Sequence, residues 1–130
     1  MKGVLLDSSF LIEVAEIGKD VIAFMDDALG VTLPKFTLNL VIEELENIRD
    51  RGSSKRSSMA RVALGLAQRM KIIEEASLLP VDDAIIDVAR HDLLVVATND
   101  MDLRRRLREA RIPVVYVKDG FLKVEGMRGF

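Results

Sequence analysis

The sequence predicts an α/β fold, a three-layer α/β/α sandwich around a central parallel sheet of about five strands. Short apolar runs alternate with segments of helical periodicity along most of the chain. Strands buried in a parallel sheet are continuous apolar runs, and their alternation with helices places helices on both faces of one sheet. The 130 residues contain no repeat, linker or low-complexity tract. We therefore expect a single domain over residues 1–130.

The chain opens with an apolar strand at residues 3–6, which we expect in the middle of the sheet. Apolar residues recur at helical spacing over residues 10–15 and 21–29, and both segments are predicted helices. Residues 31–33 form a second short strand. Pro34 is predicted to end it, because proline cannot donate a hydrogen bond to a neighbouring strand.

The middle of the chain contains two predicted helices separated by a polar loop. Residues 38–49 carry the apolar stripe of an amphipathic helix, and residues 59–69 repeat that spacing. Residues 52–58 consist of glycine, serine and basic side chains, a composition typical of a loop. Residues 72–73 are a candidate third strand.

The last third of the chain returns to the alternation of helix and strand. Asp82 is the predicted N-cap of a helix, because a carboxylate there accepts an orphaned backbone N–H. Residues 93–97 are the most strand-like run in the sequence, and an arginine-rich helix follows at residues 102–110. Residues 112–117 form the last core strand, and residues 121–124 add a short edge strand.

Composition excludes several classes of site. The chain has no cysteine, which excludes disulfides, thiolate zinc sites and a cysteine nucleophile. No apolar run approaches the roughly 20 residues that cross a bilayer, and no signal peptide pattern is present. We expect a cytoplasmic protein without membrane contact. Aromatic residues are only 5% of the chain, so aromatic stacking platforms for single-stranded nucleic acid are not evident.

The net charge of −2 conceals a segregation of charge along the chain. The stretch from Arg49 to Lys71 holds seven basic residues against one acidic residue, and Arg104 to Arg111 holds five against one. Such asymmetry indicates basic surfaces beside acidic ones.

Acidic residues occupy positions that would converge at one edge of the sheet. Asp7 ends the first strand and Asp100 follows the strand at residues 93–97. If the two strands are neighbours, their carboxyl ends meet where ligands bind in open α/β sheets. This requires the first strand to be central. Asp83 begins a helix, Glu44 lies within one, and Asp102 follows Asp100 closely.

A cluster of carboxylates is electrostatically costly, and a hard cation relieves the repulsion. Mg²⁺ and Mn²⁺ prefer oxygen ligands, and such an ion can act on a phosphate ester. Each acid also has a purely structural interpretation. Asp7, Asp82 and Asp100 would serve as caps, Glu44 would lie on a solvated face, and the arginine run would form salt bridges. The single histidine, His91, is expected at a helix end or on the surface.

Four short strings resemble the motifs of PIN-domain nucleases. They are LDSSFL at residues 6–11, VIEEL at 41–45, DDAII at 82–86 and ATNDMDL at 97–103, and the ending IPVVY at 112–116 extends the match. The resemblance covers nearly the whole chain. It implies a compact α/β/α sandwich with a parallel sheet and a ribonuclease that uses one or two Mg²⁺ or Mn²⁺ ions.

The resemblance also implies roles for individual residues. Glu44 rather than Glu43 matches the second acid, because the family's acid usually directly precedes the leucine. The implied catalytic metal ligands are Asp7, Glu44, Asp83 and Asp100, with Asp102 as a further ligand. The implied supporting residues are Ser8, Ser9, Asp82, Thr98 and Asn99.

RNA is the implied partner, and its backbone would contact the two basic segments. The predicted phosphate contacts are Arg51, Lys55, Arg56, Arg104, Arg105, Arg106 and Arg108. Hydrolysis would leave a 5′-phosphate and a 3′-hydroxyl. The arginine-rich helix and the IPVVY ending resemble the ribosome-maturation branch more than the VapC toxins, so a ribosomal precursor particle or an antitoxin would be a further partner. A homodimer is also expected.

Two other functions stay open at this point. The fold could serve as a non-catalytic scaffold that binds RNA or protein, although a scaffold has no reason to retain repelling acids. A phosphotransfer receiver is also a small α/β domain with an acidic pocket. It needs an acid pair after the first strand, where this chain has only Asp7, and Lys118 is its only candidate lysine.

Overall fold

A six-stranded sheet forms the centre of the molecule, and β1 lies inside it with strands on both sides. The computed structural model describes residues 1–76 and 78–127. The strand order is β3-β2-β1-β4-β5-β6, with β6 antiparallel to β5 and the other pairs parallel. The strands are β1 (Gly3–Leu6), β2 (Lys35–Leu38), β3 (Lys71–Ile73), β4 (Leu94–Ala97), β5 (Val114–Lys118) and β6 (Phe121–Glu125). The predicted parallel sheet, the central first strand and the added edge strand are confirmed.

Helices cover both faces of this sheet. They are α1 (Ser8–Ile17), a 3-10 helix (Val21–Phe24), α2 (Met25–Leu29), α3 (Asn39–Arg51), α4 (Ser54–Ala67), α5 (Val81–Asp92) and α6 (Met101–Glu109). α1, α3 and α4 pack on one another, and an ion pair joins α6 to α5. Right-handed connections place these two groups on opposite faces. In the described part of the chain, no helix has the length and apolar character needed to cross a membrane.

The position of β1 follows from its side chains and from the close approach of β2. Val4, Leu5 and Leu6 are completely buried, as expected for a strand covered on both faces. A Cβ atom at Gly3 would lie 2.5 Å from Cε2 of Phe36 on β2, so glycine permits this approach. The register places Leu6 beside Ala97 of β4. The next residues of the two strands therefore lie side by side at the carboxyl edge of the sheet.

The second strand lies after Pro34 rather than before it. The prediction for residues 31–33 was wrong, because Val31 is exposed and β2 begins at Lys35. The carbonyl of Pro34 accepts a hydrogen bond from the N–H of Val4 at 2.9 Å. Proline at the start of a strand needs no N–H of its own, so it begins the pairing with β1 instead of ending a strand.

The predicted loop at residues 52–58 was also wrong, because α4 begins at Ser54. The side chain of Ser53 caps the helix by accepting from the N–H of Arg56 at 3.4 Å. Lysine and arginine are good helix formers, so the basic composition does not oppose a helix. The Ser57 hydroxyl donates to the carbonyl of Arg49 at 2.6 Å and ties α4 to the end of α3. The basic side chains of this segment therefore stand on a helix.

Two helix starts differ from the prediction. The segment predicted as one helix at residues 21–29 is a 3-10 turn followed by the short α2. α5 begins at Val81, one residue before the predicted cap Asp82. Pro80 precedes α5 without a side-chain cap, so Asp82 and Asp83 both lie in its first turn, where acids suit the helix dipole.

Candidate active site

Asp7 ends β1 and is enclosed, with 4% of its surface exposed. Its Oδ1 accepts from the N–H of Ser8 at 2.7 Å, which makes Asp7 the N-cap of α1. Its Oδ2 accepts from the hydroxyls of Ser9 at 2.8 Å and Thr98 at 2.7 Å. A carboxylate has about four lone-pair positions. These three donors leave about one position for a further ligand.

Ser8 connects Asp7 to Glu44 on α3. The Ser8 hydroxyl is in close hydrogen-bond contact with Oε1 of Glu44 and lies 3.4 Å from Oδ1 of Asp7. A hydroxyl has one proton to donate, so the closer contact identifies Glu44 as the acceptor. Burial raises the pKa of Glu44 above its usual value. The Ser8 hydrogen bond opposes that shift, and the charges of Asp7 and Asp100 add to it.

Residues 98–100 bring Asp100 to the same edge of the sheet. The buried Thr98 hydroxyl, which donates to Asp7, accepts from the N–H of Asp100 at 3.1 Å. The Ser9 hydroxyl in turn accepts from the N–H of Asn99 at 3.0 Å. Oδ1 of Asp100 accepts from the N–H of Leu103 at 2.8 Å and caps α6. The ends of β1 and β4 are therefore joined through two hydroxyl groups.

Asn99 holds this segment from the other side. Its side-chain amide donates to the carbonyl of Val117 at 2.9 Å and accepts from the N–H of Val117 at 3.0 Å. The side chain thus copies the bonding of a strand residue and continues the pairing of β4 with β5 by one position. This explains a side-chain amide at residue 99 as a positioning group for its neighbour Asp100.

Asp82 and Asp83 are neighbours in the first turn of α5 but have different surroundings. Asp83 pairs with the guanidinium of Arg106 on α6. Asp82 is partly buried, and burial together with the charges of Asp7, Asp100 and Glu44 raises its pKa to about 6, while Arg106 opposes the shift. The sequence prediction assigned the metal to Asp83 and a supporting role to Asp82. Both assignments stay predictions, and Asp82 is the acid whose pKa responds to the charges of Asp7, Asp100 and Glu44.

The acids form an oxygen-rich edge of the kind that Mg²⁺ and Mn²⁺ prefer. Asp7 has an open position. Burial, and then the charges of neighbouring acids, raise the pKa values of Glu44 and Asp82, so positive charge at this edge would relieve repulsion. Across residues 1–76 and 78–127, no three carboxylate or imidazole groups already stand in position to hold one ion. The donor set fits a divalent cation in chemistry and in charge, and side-chain rotation would have to complete its coordination.

Two other predicted positions make no hydrogen bond or ion pair with these acids within the described residues. The carboxylate of Asp102 is 89% exposed and stands 3.9 Å from Arg105. His91 is in the last turn of α5 with an exposed ring beside Asp92, as expected for a surface residue. Asp102 is thus not brought together with Asp7 by the contacts described.

The arginines of α6 are paired with carboxylates. Arg104 lies 3.5 Å over the ring of Tyr116 and 3.3 Å from Glu125, and Arg108 lies 3.2 Å from the second oxygen of Glu125. Burial alone would raise the pKa of Glu125, but Arg108 and Arg104 lower it overall. The salt-bridge interpretation of the arginine run therefore describes this helix. Its predicted phosphate contacts stay untested.

The basic segment from Arg49 to Lys71 borders a groove beside Glu44. Glu44 lines this groove together with Arg51 from the end of α3 and Arg56 from α4, and the volume is about 490 Å³. Lys55 is exposed next to Arg56 in the first turn of α4. Basic side chains thus stand directly beside the acidic edge.

Comparison with known proteins places this geometry in a family. The family described as PIN like domain matches residues 4–119. Ribonuclease VapC4 of Methanocaldococcus jannaschii is 29% identical over 125 residues, covering 93% of this chain and 95% of that protein. Ribonuclease VapC9 of Archaeoglobus fulgidus is 32% identical over 79 residues, which span 61% of this chain and 57% of the length of VapC9.

Solved structures show the same fold. The PIN domain endonuclease Utp24 superposes with a TM-score of 0.78 at 26% identity, covering 95% of this chain and 90% of that chain. A domain of a functionally unknown protein from Methanocaldococcus jannaschii shares the fold with a TM-score of 0.63 at 18% identity, covering 96% and 97% of the two chains. With a family match that spans nearly all of its sheet and the acids at its edge, this chain belongs to the PIN-like domain family.

Proposed function

We propose that this protein is a ribonuclease that hydrolyses RNA phosphodiester bonds with a divalent ion, Mg²⁺ or Mn²⁺, at the carboxyl edge of β1 and β4. The observation that carries the proposal is the direct link between the two strand ends. Thr98 donates to Asp7 at 2.7 Å and accepts from the N–H of Asp100 at 3.1 Å. The named ribonucleases and the endonuclease to which the chain is similar support the same activity.

Asp7, Glu44, Asp100 and Asp82 would hold one or two ions, and Asp83 stays the alternative to Asp82. A bound ion would supply Lewis acidity at the phosphate and activate the attacking water. The protein groups have other tasks. The Ser8 N–H and the Ser9 and Thr98 hydroxyls hold the Asp7 carboxylate in place, since each donates a hydrogen bond to it.

The RNA backbone would approach from the side of Arg51, Lys55 and Arg56. Arginine and lysine contacts to phosphate give affinity that carries no sequence information. These side chains border the groove that contains Glu44, so they would hold phosphates next to the cleaved bond. An acidic site with a basic flank reconciles a net charge of −2 with a polyanionic substrate.

The test is cleavage of structured and single-stranded RNA in Mn²⁺, with EDTA as the blank. We expect Asp7→Asn and Asp82→Asn to lose more than about 100-fold in rate, beyond the loss usual for outer-shell partners of a metal. Asp83→Asn should stay within a few-fold of wild type. Equal residual cleavage by wild type and Asp7→Asn would show that the activity belongs to a contaminant and not to this site.

Metal titration separates the enzyme from a non-catalytic scaffold. An ion present at 100 times its Kd stabilises the folded state by about 2.7 kcal/mol. The thermal midpoint of wild type should therefore rise in millimolar Mn²⁺, and that of Asp7→Asn should not. An unchanged midpoint for both proteins would favour the scaffold.

For the biological role we propose RNA maturation, with a VapC-type toxin as the second candidate. The arginine-rich α6 and the IPVVY segment favour maturation, and the similarity to VapC4 over 95% of that protein favours a toxin. A host strain that lacks the gene should accumulate an uncleaved precursor RNA. Growth arrest on expression of wild type, absent with Asp7→Asn and relieved by a neighbouring gene, would instead identify a toxin and its antitoxin.

A further inference from the structure

The groove beside Glu44 has the composition of a nucleotide pocket. Its volume of about 490 Å³ falls within the range of about 300 to 1,000 Å³ found for small-molecule sites. Glu44 lines the groove and also bonds Ser8 at the acidic edge, so the groove borders that edge. A group bound here would lie directly beside a phosphate at the acids.

The floor of the groove is aliphatic. Leu40 and Ile48 come from α3, and Val81 comes from the start of α5. All three are partly buried in the absence of any ligand. Each base has an apolar face that packs against such side chains, and base packing of this kind is sequence-tolerant.

The edge of the groove offers hydrogen-bonding groups. Glu43 and Asn47 are four residues apart on α3 and therefore share one face of the helix. Both are exposed, and neither side chain makes a hydrogen bond within residues 1–76 and 78–127. An amide and a carboxylate together can accept from and donate to the edge of an unpaired base.

The cations of the groove differ from those of α6. All four arginines in the run 104–108 have a carboxylate within 4.0 Å, whereas Arg51 and Arg56 form no ion pair with the described residues. Unpaired guanidinium groups beside an aliphatic floor complement a ligand that is apolar on one part and anionic on another. A nucleotide has this combination in its base and its phosphate.

We propose that this groove binds one unpaired nucleotide of the RNA next to the scissile phosphate. The base packs on Leu40, Ile48 and Val81, and Arg51 and Arg56 contact the phosphate. This inference rests on the proposed ribonuclease activity and adds the substrate class. The RNA must be single-stranded at this position, because extracting a base from a duplex costs a few kcal/mol.

The experiment uses fluorescein-labelled RNA of about 12 nucleotides, a length within the usual site sizes of single-strand binders. One substrate is intact, and two carry an abasic ribose on the 5′ or the 3′ side of the cleaved bond. We expect one abasic substrate to lose about fivefold or more in kcat/KM with wild type, the lower end of the loss found for a base stacked on an aromatic ring. A complementary strand should suppress cleavage.

Each of the three variants changes an exposed residue, so we expect all of them to fold as wild type does. Asn47→Ala should lower kcat/KM on intact RNA by about 2–10-fold, the effect of one hydrogen bond, and should reduce the penalty of the abasic site. Arg51→Gln should lower kcat/KM on intact and on abasic RNA by the same factor, because Arg51 is proposed to contact the RNA phosphate and not the base. Arg90→Gln, an equal charge change on an exposed site of α5, should leave both unchanged.

Two results overturn the inference. These are equal cleavage of intact and abasic RNA, and an abasic penalty in Asn47→Ala as large as in wild type. Either would leave the groove to another partner, such as a protein. If wild type cleaves no RNA, the ribonuclease proposal fails separately. Fluorescence anisotropy in EDTA then tests whether the groove binds a base. Tighter binding of intact than of abasic RNA would support this, and equal affinity would contradict it.

Discussion

At the scale of single residues, Thr98 has the most consequential position. It is fully buried, and its one hydroxyl serves both acids at the strand ends. Removing it would leave the N–H of Asp100 without its partner and Asp7 with one donor fewer. One threonine hydroxyl thus connects two acids that are distant in sequence.

We predict that Thr98→Val lowers the free energy of unfolding by about 1–3 kcal/mol, the cost of an unsatisfied buried polar group. RNA cleavage should fall together with Mn²⁺ affinity. Thr98→Ser keeps the hydroxyl and should retain most of both. Denaturant titration and the Mn²⁺ dependence of the cleavage rate provide the measurements. Equal losses in the two variants would mean that volume, not the hydroxyl, matters here.

The assignment of Asp82 and Asp83 shows where sequence reasoning ends. Both acids fit the first turn of a helix, and the sequence does not say which of them pairs with a cation from another helix. Arg106, which is 23 positions later, binds Asp83. Asp7 and Asp100, in contrast, were predictable as neighbours, because strand ends need only a sheet order to bring them together.

At the scale of secondary structure, Arg104 connects α6 to the sheet. The guanidinium lies on the ring of Tyr116 from β5 and pairs with Glu125 from β6. Only 18% of the Arg104 side chain is exposed, compared with 64% for Arg105. Two adjacent arginines of one run thus have different roles, one in packing and one at the surface.

We expect Arg104→Ala to destabilise the fold by about 1–2 kcal/mol, since it removes a cation–π contact that is partly desolvated. Arg105→Ala should change stability by less than about 0.5 kcal/mol, as for other surface positions. Thermal and urea unfolding of both variants would measure this. A similar loss in the two proteins would contradict the packing role of Arg104.

The strands that could be predicted from the sequence are those whose local hydrophobic pattern alone indicates a buried strand. The apolar runs of β1, β4 and β5 have few alternatives once they are buried. Residues 35–38 were missed as a strand because they are only partly apolar and directly precede a helix. Their strand character comes from pairing with β1 on one side and β3 on the other, and the Thr37 hydroxyl adds a hydrogen bond to the carbonyl of Leu6 at 2.7 Å. Tertiary contacts, not local pattern, decide such segments.

At the scale of the whole molecule, the acidic edge makes stability depend on pH. The pKa of Asp82 rises from 3.8 to about 6 on folding, first because of burial and then because of the charges of Asp7, Asp100 and Glu44. The folded protein therefore binds more protons than the unfolded chain between these values. Stability falls as the pH rises through this window, and the loss is complete above about pH 6.

We predict that Asp82→Asn raises the thermal midpoint at pH 7 in EDTA by about 3–6 °C, or about 1 kcal/mol after allowance for solvent screening. The variant should match wild type near pH 4, where Asp82 is neutral in the folded protein. Midpoints measured from pH 4 to 8 would show the difference appear with rising pH. A difference that does not vary with pH would contradict the electrostatic origin.

The central place of β1 also determines when the molecule can become complete during its synthesis. Of the six strands described, β1 leaves the ribosome first, yet it pairs with β4 at Leu94–Ala97, and Asp7 obtains a hydrogen bond from Thr98. At about 5–20 residues per second, the first strand waits several seconds for that neighbour. The acids cannot assemble on a partial chain. A nascent copy therefore lacks the assembled acidic edge until Thr98 and Asp100 have been synthesised.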